Sequence, residues 1–581
     1  MSTQTTNPAP TAPHFPEQVT GMYILAEALK RLSLDTVYGL VGIPVTEAAY
    51  AMQKVGVKFV GFRFEQQAGM AAATHGYLTK TPGVLLTVSS LGFMNGLTAT
   101  ANATVNCYPM IQISGASDPT MVDMKMGTYE ELDQFNTAKP LVKAAFRCSH
   151  AKDIPSAVAR AYRAAVSGRP GGVYIDMTTP ALAEIMNRED AEKLFYQPVD
   201  LYSPVAPNQA AVDHAVELLA SAKRPAILLG KGAAYAQVDD KIKKLIETYK
   251  IPYLPMSMAK GLMPDNGPMS ALSCRSDIME KSDVVMIIGA RLNWMLSFGR
   301  GKWNPAIKFI QLDVEPQEID VNVPIAAPVV GDMGLSLDAI LAGLDGKTMQ
   351  ADPAWLASIQ AETKVKNAKF AERLKNVKSP MDHWTALSAV KPIIEANPDI
   401  ILINEGANTL DDTRDAIDMS LPRHRVDCAT WAIMGMGMGS TVGAAVATGK
   451  SVVAIEGDSA FGFSGMDFAT ICRFKLPVTV VIFNNGGIYN NIGVNPSTDP
   501  AIEHDPAPTT LDLAARYDKM GEVFGAANYY VQTPEELSKA LTEAIASKAP
   551  AIIDVQLAAD AGKESGHIGY LNPAPLIDYT V

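Results

Sequence analysis

The stretch VVAIEGDSAFGFSGMDFATICRFKLPVTVVIFNNGG, from Val452 to Gly487, concentrates residue types that could do chemistry. One apolar run leads into Gly457-Asp458-Ser459, and the next ends at Asn484-Asn485-Gly486-Gly487. Asp458 and Asn485 offer oxygen ligands, and a backbone carbonyl at Gly487 adds a third. Oxygen donors suit a hard cation such as Mg²⁺, with a diphosphate filling further positions. The glycine-rich turn lets backbone N–H groups approach phosphate at a helix N-terminus. A plain βαβ turn with an Asp cap would use the same Gly-Asp-Ser. The paired asparagines closing the next run favour the metal reading. Two other segments stand out. Glu65 lies in KFVGFRFEQQAGM, which begins at Lys58, and ATWAIMGMGMGST, which begins at Ala429, is rich in glycine and methionine.

The elements that must position these residues repeat along the chain. Short apolar runs end in Gly, Ser or Asn at 84–89, 110–114, 173–176, 226–229, 284–288, 308–312, 400–404, 452–455, 478–483 and 551–555. Amphipathic segments such as 210–222 and 535–547 separate them. Strand and helix in alternation predict parallel sheets with helices on both faces. The expected fold class is α/β, with three doubly wound parallel-sheet domains at 18–196, 209–345 and 383–581. A proline-rich linker at 197–208 and a charged, alanine-rich segment at 346–382 divide them. Residues 1–17 are expected to be a disordered tail, with neither the basic nor the apolar region of a signal peptide. Ligands in such sheets bind beyond the carboxyl ends of the strands, where Asp458 and Asn485 are expected.

Composition narrows the class. The chain has 581 residues and a net charge of −12 from 49 basic and 61 acidic residues. That balance argues against nucleic acid as a partner. No apolar run approaches the ~20 residues needed to cross a membrane. Five scattered cysteines without a CxxC pair fit a reducing, cytoplasmic setting.

The Gly-Asp-Ser and Asn-Asn pair resembles the thiamine-diphosphate motif. The resemblance sharpens to the oxalyl-CoA decarboxylases through VYGLVGIPVTE, GTYEELDQFN, LLGKGAAYAQ, IIGARLNWM, NEGANTLDDTRD, EGDSAFGFSGM and ESGHIGYLNP. It covers most of the chain. The 2-hydroxyacyl-CoA lyases are the near siblings, and YEELDQ with the ESGHI tail favours the decarboxylases.

The resemblance implies thiamine diphosphate and Mg²⁺ as cofactors and a CoA thioester as substrate. It implies that Glu65 activates the cofactor through its pyrimidine ring. Asp458, Asn485 and the Gly487 carbonyl would hold Mg²⁺. Ile43, Gly457, Ser459 and Ile488 would border the cofactor. Met434, with Met436 as the alternative, would bend it, and a carbonyl of Gly435 or Gly437 would receive its amino group. Tyr129, Glu130, Tyr489 and Ser565 would surround the reacting carbon, with Ser565 on a closing C-terminal segment. Lys231 and Asp313 would bind an ADP-type activator in the middle domain. A homo-oligomer follows, a dimer at least and a tetramer by resemblance, because Glu65 and the diphosphate site meet between subunits in that family. The expected reaction is decarboxylation of oxalyl-CoA to formyl-CoA. The alternative is joining or splitting formyl-CoA and an aldehyde or ketone. A non-catalytic CoA- or nucleotide-binding role would be expected to lose Glu65, Asp458 or Asn485, all of which are present.

Departures from the family pattern gather near the expected site. Phe64 stands where the family has His, Ser90-Leu91 where it has Ala-Pro, and Ala429 and Ala432 where glycines are usual. Ser440 replaces an aromatic residue, and Asn490-Asn491 follow Tyr489 where a basic residue and glycine are usual. Clustering of this kind suggests altered substrate scope.

Overall fold

The computed structural model describes residues 17–195, 200–495 and 497–563. Three parallel sheets organise them. The first sheet has six strands in the spatial order Lys58–Gly61, Thr36–Gly39, Gly83–Thr87, Met110–Ala116, Gly172–Thr178 and Ala144–Cys148. The middle sheet has five, in the order Tyr253–Pro255, Pro225–Leu229, Val284–Ile288, Lys308–Asp313 and Ala327–Val330. The last sheet has six, in the order Arg425–Asp427, Ile401–Glu405, Val452–Gly457, Val478–Asn484, Ala551–Gln556 and Ala527–Val531. A short antiparallel pair, Gln18–Thr20 with Ile185–Asn187, closes the first domain.

The central strands are largely apolar because helices cover both faces. Val284–Ile288, sequence VVMII, is buried at every position. The outer helices supply the cover through one apolar stripe each. Pro534–Ser547 shows the logic. Thr533 and Glu536 form a capping box, and Pro534 occupies the first turn. Leu537, Ala540, Leu541 and Ala544 are buried beneath it, and Lys548 ends it in the left-handed region.

The first and last domains meet through two helices, Glu65–Thr79 and Gly437–Thr448. Small residues make that approach possible. A Cβ on Gly439 would lie 2.4 Å from the Gln67 carbonyl oxygen, and one on Gly443 2.4 Å from that of Ala71. Arg63 N–H donates to Asp467 at 2.7 Å, and the Thr470 hydroxyl donates to the Gly61 carbonyl. The starts of both helices, which carry Glu65 and the Met434–Gly437 loop, are therefore set by one packed surface.

The segment 200–208 has no regular structure, and Pro353–Leu374 is a helix of 22 residues. No helix among the described residues is long and apolar enough to cross a membrane.

Candidate active site

Asp458 follows the strand Val452–Gly457 and opens the helix Asp458–Ser464. Its Oδ1 accepts Ser459 N–H at 2.8 Å, and its Oδ2 accepts Gly487 N–H at 3.1 Å. Burial pushes its carboxyl up to about 6, against the downward pull of those N–H groups. Asn485 is 4% exposed and donates its Nδ2 to the Tyr489 carbonyl at 2.8 Å. Its Oδ1 remains as the acceptor for a ligand. The turn is tight, with Gly486 at φ 69° and Tyr489 at φ 67°. Asp458, Asn485 and Gly487 thus share one end of two adjacent strands. Their oxygen-rich donor set fits a hard divalent cation.

The Met434–Gly437 loop is held from below. Glu405, the last residue of its strand, accepts the N–H groups of Gly435 and Gly437. Gln67 bridges the domains, donating to the Gly435 carbonyl and accepting Gly439 N–H at 2.9 Å. Glu456 stands in register beside Glu405, and neither of its buried carboxylate oxygens has a hydrogen-bond partner. Burial raises both carboxyls, and their proximity raises that of Glu456 further. Gly437 leaves room for them, since a Cβ there would lie 2.1 Å from Glu456 Oε1. Met436 is core at 5% exposure, whereas Met434 is 37% exposed.

Glu65 opens its helix and is 7% exposed. Its Oε2 accepts the Asn95 side-chain amide at 3.0 Å. Nearby, Glu130 accepts the Ser89 hydroxyl at 2.6 Å. Tyr129 and Ile43 are exposed, at 65% and 68%, and Ile488 is at 38%. Glu65 takes its partner from the first domain, and Asp458 takes its partners from the last. Ser565 lies outside the described residues, as do residues 1–16.

Lys231 and Asp313 line one cavity of about 320 Å³. All three domains contribute to its wall, with Arg169 from the first, Arg291 from the middle and Asp427 from the last. Lys231 donates to the Asn106 carbonyl, and its Nζ lies 4.4 Å from the centre of the Tyr108 ring. Burial pulls its ammonium down to about 8 and pushes the Asp313 carboxyl up to about 6.

The departures have structural signatures. Ala429 and Ser90 both sit at φ 53°. Ser440 is buried and receives the Thr74 hydroxyl at 3.0 Å. Leu91 is 75% exposed and Phe64 is 36% exposed. Asn491 N–H ties the loop after Tyr489 to the Ala559 carbonyl at 2.8 Å. Glu405 and Gln67 lie inside the segments NEGANTLDDTRD and KFVGFRFEQQAGM, yet were not among the expected site residues, and Asn95 lies in neither. The signal for Glu405 is its place at a strand end, and for Gln67 its place two residues after Glu65.

Comparison with known proteins agrees with this geometry. Residues 19–137 match the N-terminal TPP-binding domain of thiamine pyrophosphate enzymes, 212–340 their central domain, and 410–555 their C-terminal TPP-binding domain. Oxalyl-CoA decarboxylase of Escherichia coli K12 is 51% identical over 96% of this chain and 98% of that protein. The 2-hydroxyacyl-CoA lyase of Arabidopsis thaliana is 39% identical over 96% of this chain and 99% of that protein. The human 2-hydroxyacyl-CoA lyase 1 is 36% identical over 96% of this chain and 97% of that protein. With three matching domains and relatives that run its length, the chain belongs to the thiamine pyrophosphate enzyme family.

Proposed function

We propose that the chain decarboxylates oxalyl-CoA to formyl-CoA and CO₂, using thiamine diphosphate and Mg²⁺. The observation that carries the reading is the convergence of Asp458, Asn485 and Gly487 at the carboxyl ends of two adjacent central strands. It occurs in a chain half identical to a named oxalyl-CoA decarboxylase. When bound, thiamine diphosphate supplies an electron-accepting ring that takes up the electron pair left by CO₂. Asp458, Asn485 and the Gly487 carbonyl would hold Mg²⁺ on the diphosphate, with Gly457 and Ser459 beside it. Glu65 would hydrogen-bond a pyrimidine nitrogen and hold a proton there. Met434, the exposed methionine of its loop, would set the bend, with Ile43 and Ile488 bordering the rings. Gly435 or Gly437 would accept the amino group. Tyr129, Glu130, Tyr489 and Ser565 would orient the thioester and deliver a proton to the reacting carbon.

The site would be completed between two copies of the chain. Ile43, Leu91 and Tyr129 are exposed on the first domain, as are Met434, Phe463 and Ile488 on the last. Exposed apolar residues of this kind rimming a site mark an interface, and the reading requires a dimer at least, with a tetramer as the full assembly. Lys231 and Asp313 would take ADP in the inter-domain cavity. All five cysteines are free, which suits a cytoplasmic location.

The test is turnover of oxalyl-CoA by purified protein with thiamine diphosphate and Mg²⁺, following CO₂ and formyl-CoA. Glu65→Gln and Asp458→Asn should each abolish release. Co-expressed in one cell, the two variants should recover part of it, because one site of each mixed dimer is intact. Release unaffected by Glu65→Gln would sink the assignment. No recovery on mixing would sink the shared site. If oxalyl-CoA is not turned over but formyl-CoA and an aldehyde are joined, the lyase reading takes its place.

A further inference from the structure

The turn Ser89–Ser90 has an unusual backbone and a dedicated support. Ser90 has φ 53° and ψ −108°, a combination that L-residues avoid. Glu130, across from it, is also in the left-handed half, at φ 50°. Such conformations persist where the surroundings over-determine them, and they gather at functional sites. The Ser89 hydroxyl donates to Glu130 Oε2 at 2.6 Å, so the turn aims a donor at the carboxylate.

One buried side chain holds the turn. Gln134 is 1% exposed, and its Oε1 accepts Ser90 N–H. Its Nε2 faces the Gly115 carbonyl at 2.9 Å, Tyr174 Oη at 2.9 Å and Asp176 Oδ1 at 3.4 Å. The amide is thereby oriented without ambiguity, with its acceptor to the turn and its donors to three oxygens. Asp176 is fixed in turn by Arg147 Nε at 2.6 Å and by the Tyr174 hydroxyl at 2.9 Å. Few side chains of this length can do the same job. A glutamate would set a carboxylate against Asp176, and an apolar residue would strand the Ser90 N–H.

We propose that Gln134 is a positioning residue for the reaction: from beneath the turn it holds Ser90 in its strained conformation, so that Ser89 orients Glu130. The proposal rests on the reading that Glu130 works beside the reacting carbon. Gln134 touches neither substrate nor cofactor and acts through Ser89.

Gln134→Met and Ser89→Ala, singly and together, test it with oxalyl-CoA as substrate. Each single variant should lower kcat about tenfold, the size of one oriented hydrogen bond. KM for oxalyl-CoA and the affinity for thiamine diphosphate should stay within about twofold. The double variant should fall no further than either single, as groups acting in series do. Ser89→Thr, which keeps the hydroxyl, should restore kcat. A crystal structure of Gln134→Met should show Ser90 out of its positive φ and Ser89 away from Glu130, a readout that does not depend on turnover. Unchanged kcat in Gln134→Met, or losses that multiply in the double variant, overturn the proposal. If Gln134→Met does not fold, Ser89→Ala against Ser89→Thr decides, and equal kcat in those two also overturns it. Glu130→Gln separates the underlying reading. Full turnover by that variant removes the role of Glu130, whereas its loss beside an unaffected Gln134→Met removes only the role of Gln134.

Discussion

Ala429 is a single residue under strain. It sits at φ 53°, with its N–H on Asp427 Oδ1 at 2.9 Å. An L-residue pays about 1–2 kcal/mol there. Glycine avoids that penalty, at an unfolded-state entropy cost of about 0.4–1 kcal/mol. The first effect is the larger, so Ala429→Gly should raise stability by about 0.5–1 kcal/mol. A shift of the urea midpoint to higher concentration at constant slope would show it, and a lower midpoint would refute it. This also explains why glycine is usual at the position. Sequence alone marks Ala429 and Ser90 as departures but cannot give the reason, since alanine and serine do not mark a positive φ as glycine does. Asp458 and Asn485 were legible because their chemistry is tied to a turn with its own glycines. Gln134 closes the YEELDQ run, but its burial beneath a turn was not legible, since a glutamine between charged and aromatic neighbours reads as surface.

The crossing of Glu65–Thr79 with Gly437–Thr448 is the element that joins the two cofactor-binding halves of the chain. A Cβ on Gly443 would run into the backbone of Ala71, at 2.4 Å from its O and 2.8 Å from its Cα. Backbone cannot swing aside as a side chain can. Gly443→Val should therefore force the helices apart and cost about 1–3 kcal/mol, as overpacking does. Because Gln67 ties this crossing to Gly435, the affinity for thiamine diphosphate should weaken along with stability. Calorimetric binding and urea unfolding of the same variant check both, and an unchanged urea midpoint would refute the close approach. At this scale the apolar runs were legible, and each is a strand in the structure. The missed strands are short or masked by composition. Arg425–Asp427 carries two charged residues, yet Arg425 is fully buried and donates to Asn404 Oδ1 at 2.7 Å. Hydropathy reads such a segment as loop, although tertiary pairing makes it a strand.

At the scale of the molecule, the inter-domain cavity was invisible to sequence, because Arg169, Lys231, Arg291 and Asp427 are scattered along the chain. The strand-end positions of Lys231 and Asp313 hinted at a ligand, but not at a pocket built by every domain. Its occupant can be tested through proton linkage. Burial lowers the Lys231 ammonium to about 8, with Arg169 and Arg291 pulling it the same way and Cys107 and Asp427 opposing. A diphosphate held by Lys231 needs the charged form. Above about pH 8 the free protein has lost that proton and must regain it on binding. ADP affinity should therefore fall as pH rises through 8, approaching tenfold per unit. Stability moves the other way. Between pH 8 and the ordinary lysine value near 10.4, the unfolded chain holds a proton that the folded chain lacks, so this group's burial becomes less costly as pH rises. Calorimetric titration of ADP at pH 7, 8 and 9, in buffers of different ionisation enthalpy, measures the proton uptake directly. Lys231→Met should bind more weakly at pH 7 and show no uptake from pH 8 to 9. Binding that ignores pH across this range, with the lysine intact, would place the nucleotide somewhere other than this cavity.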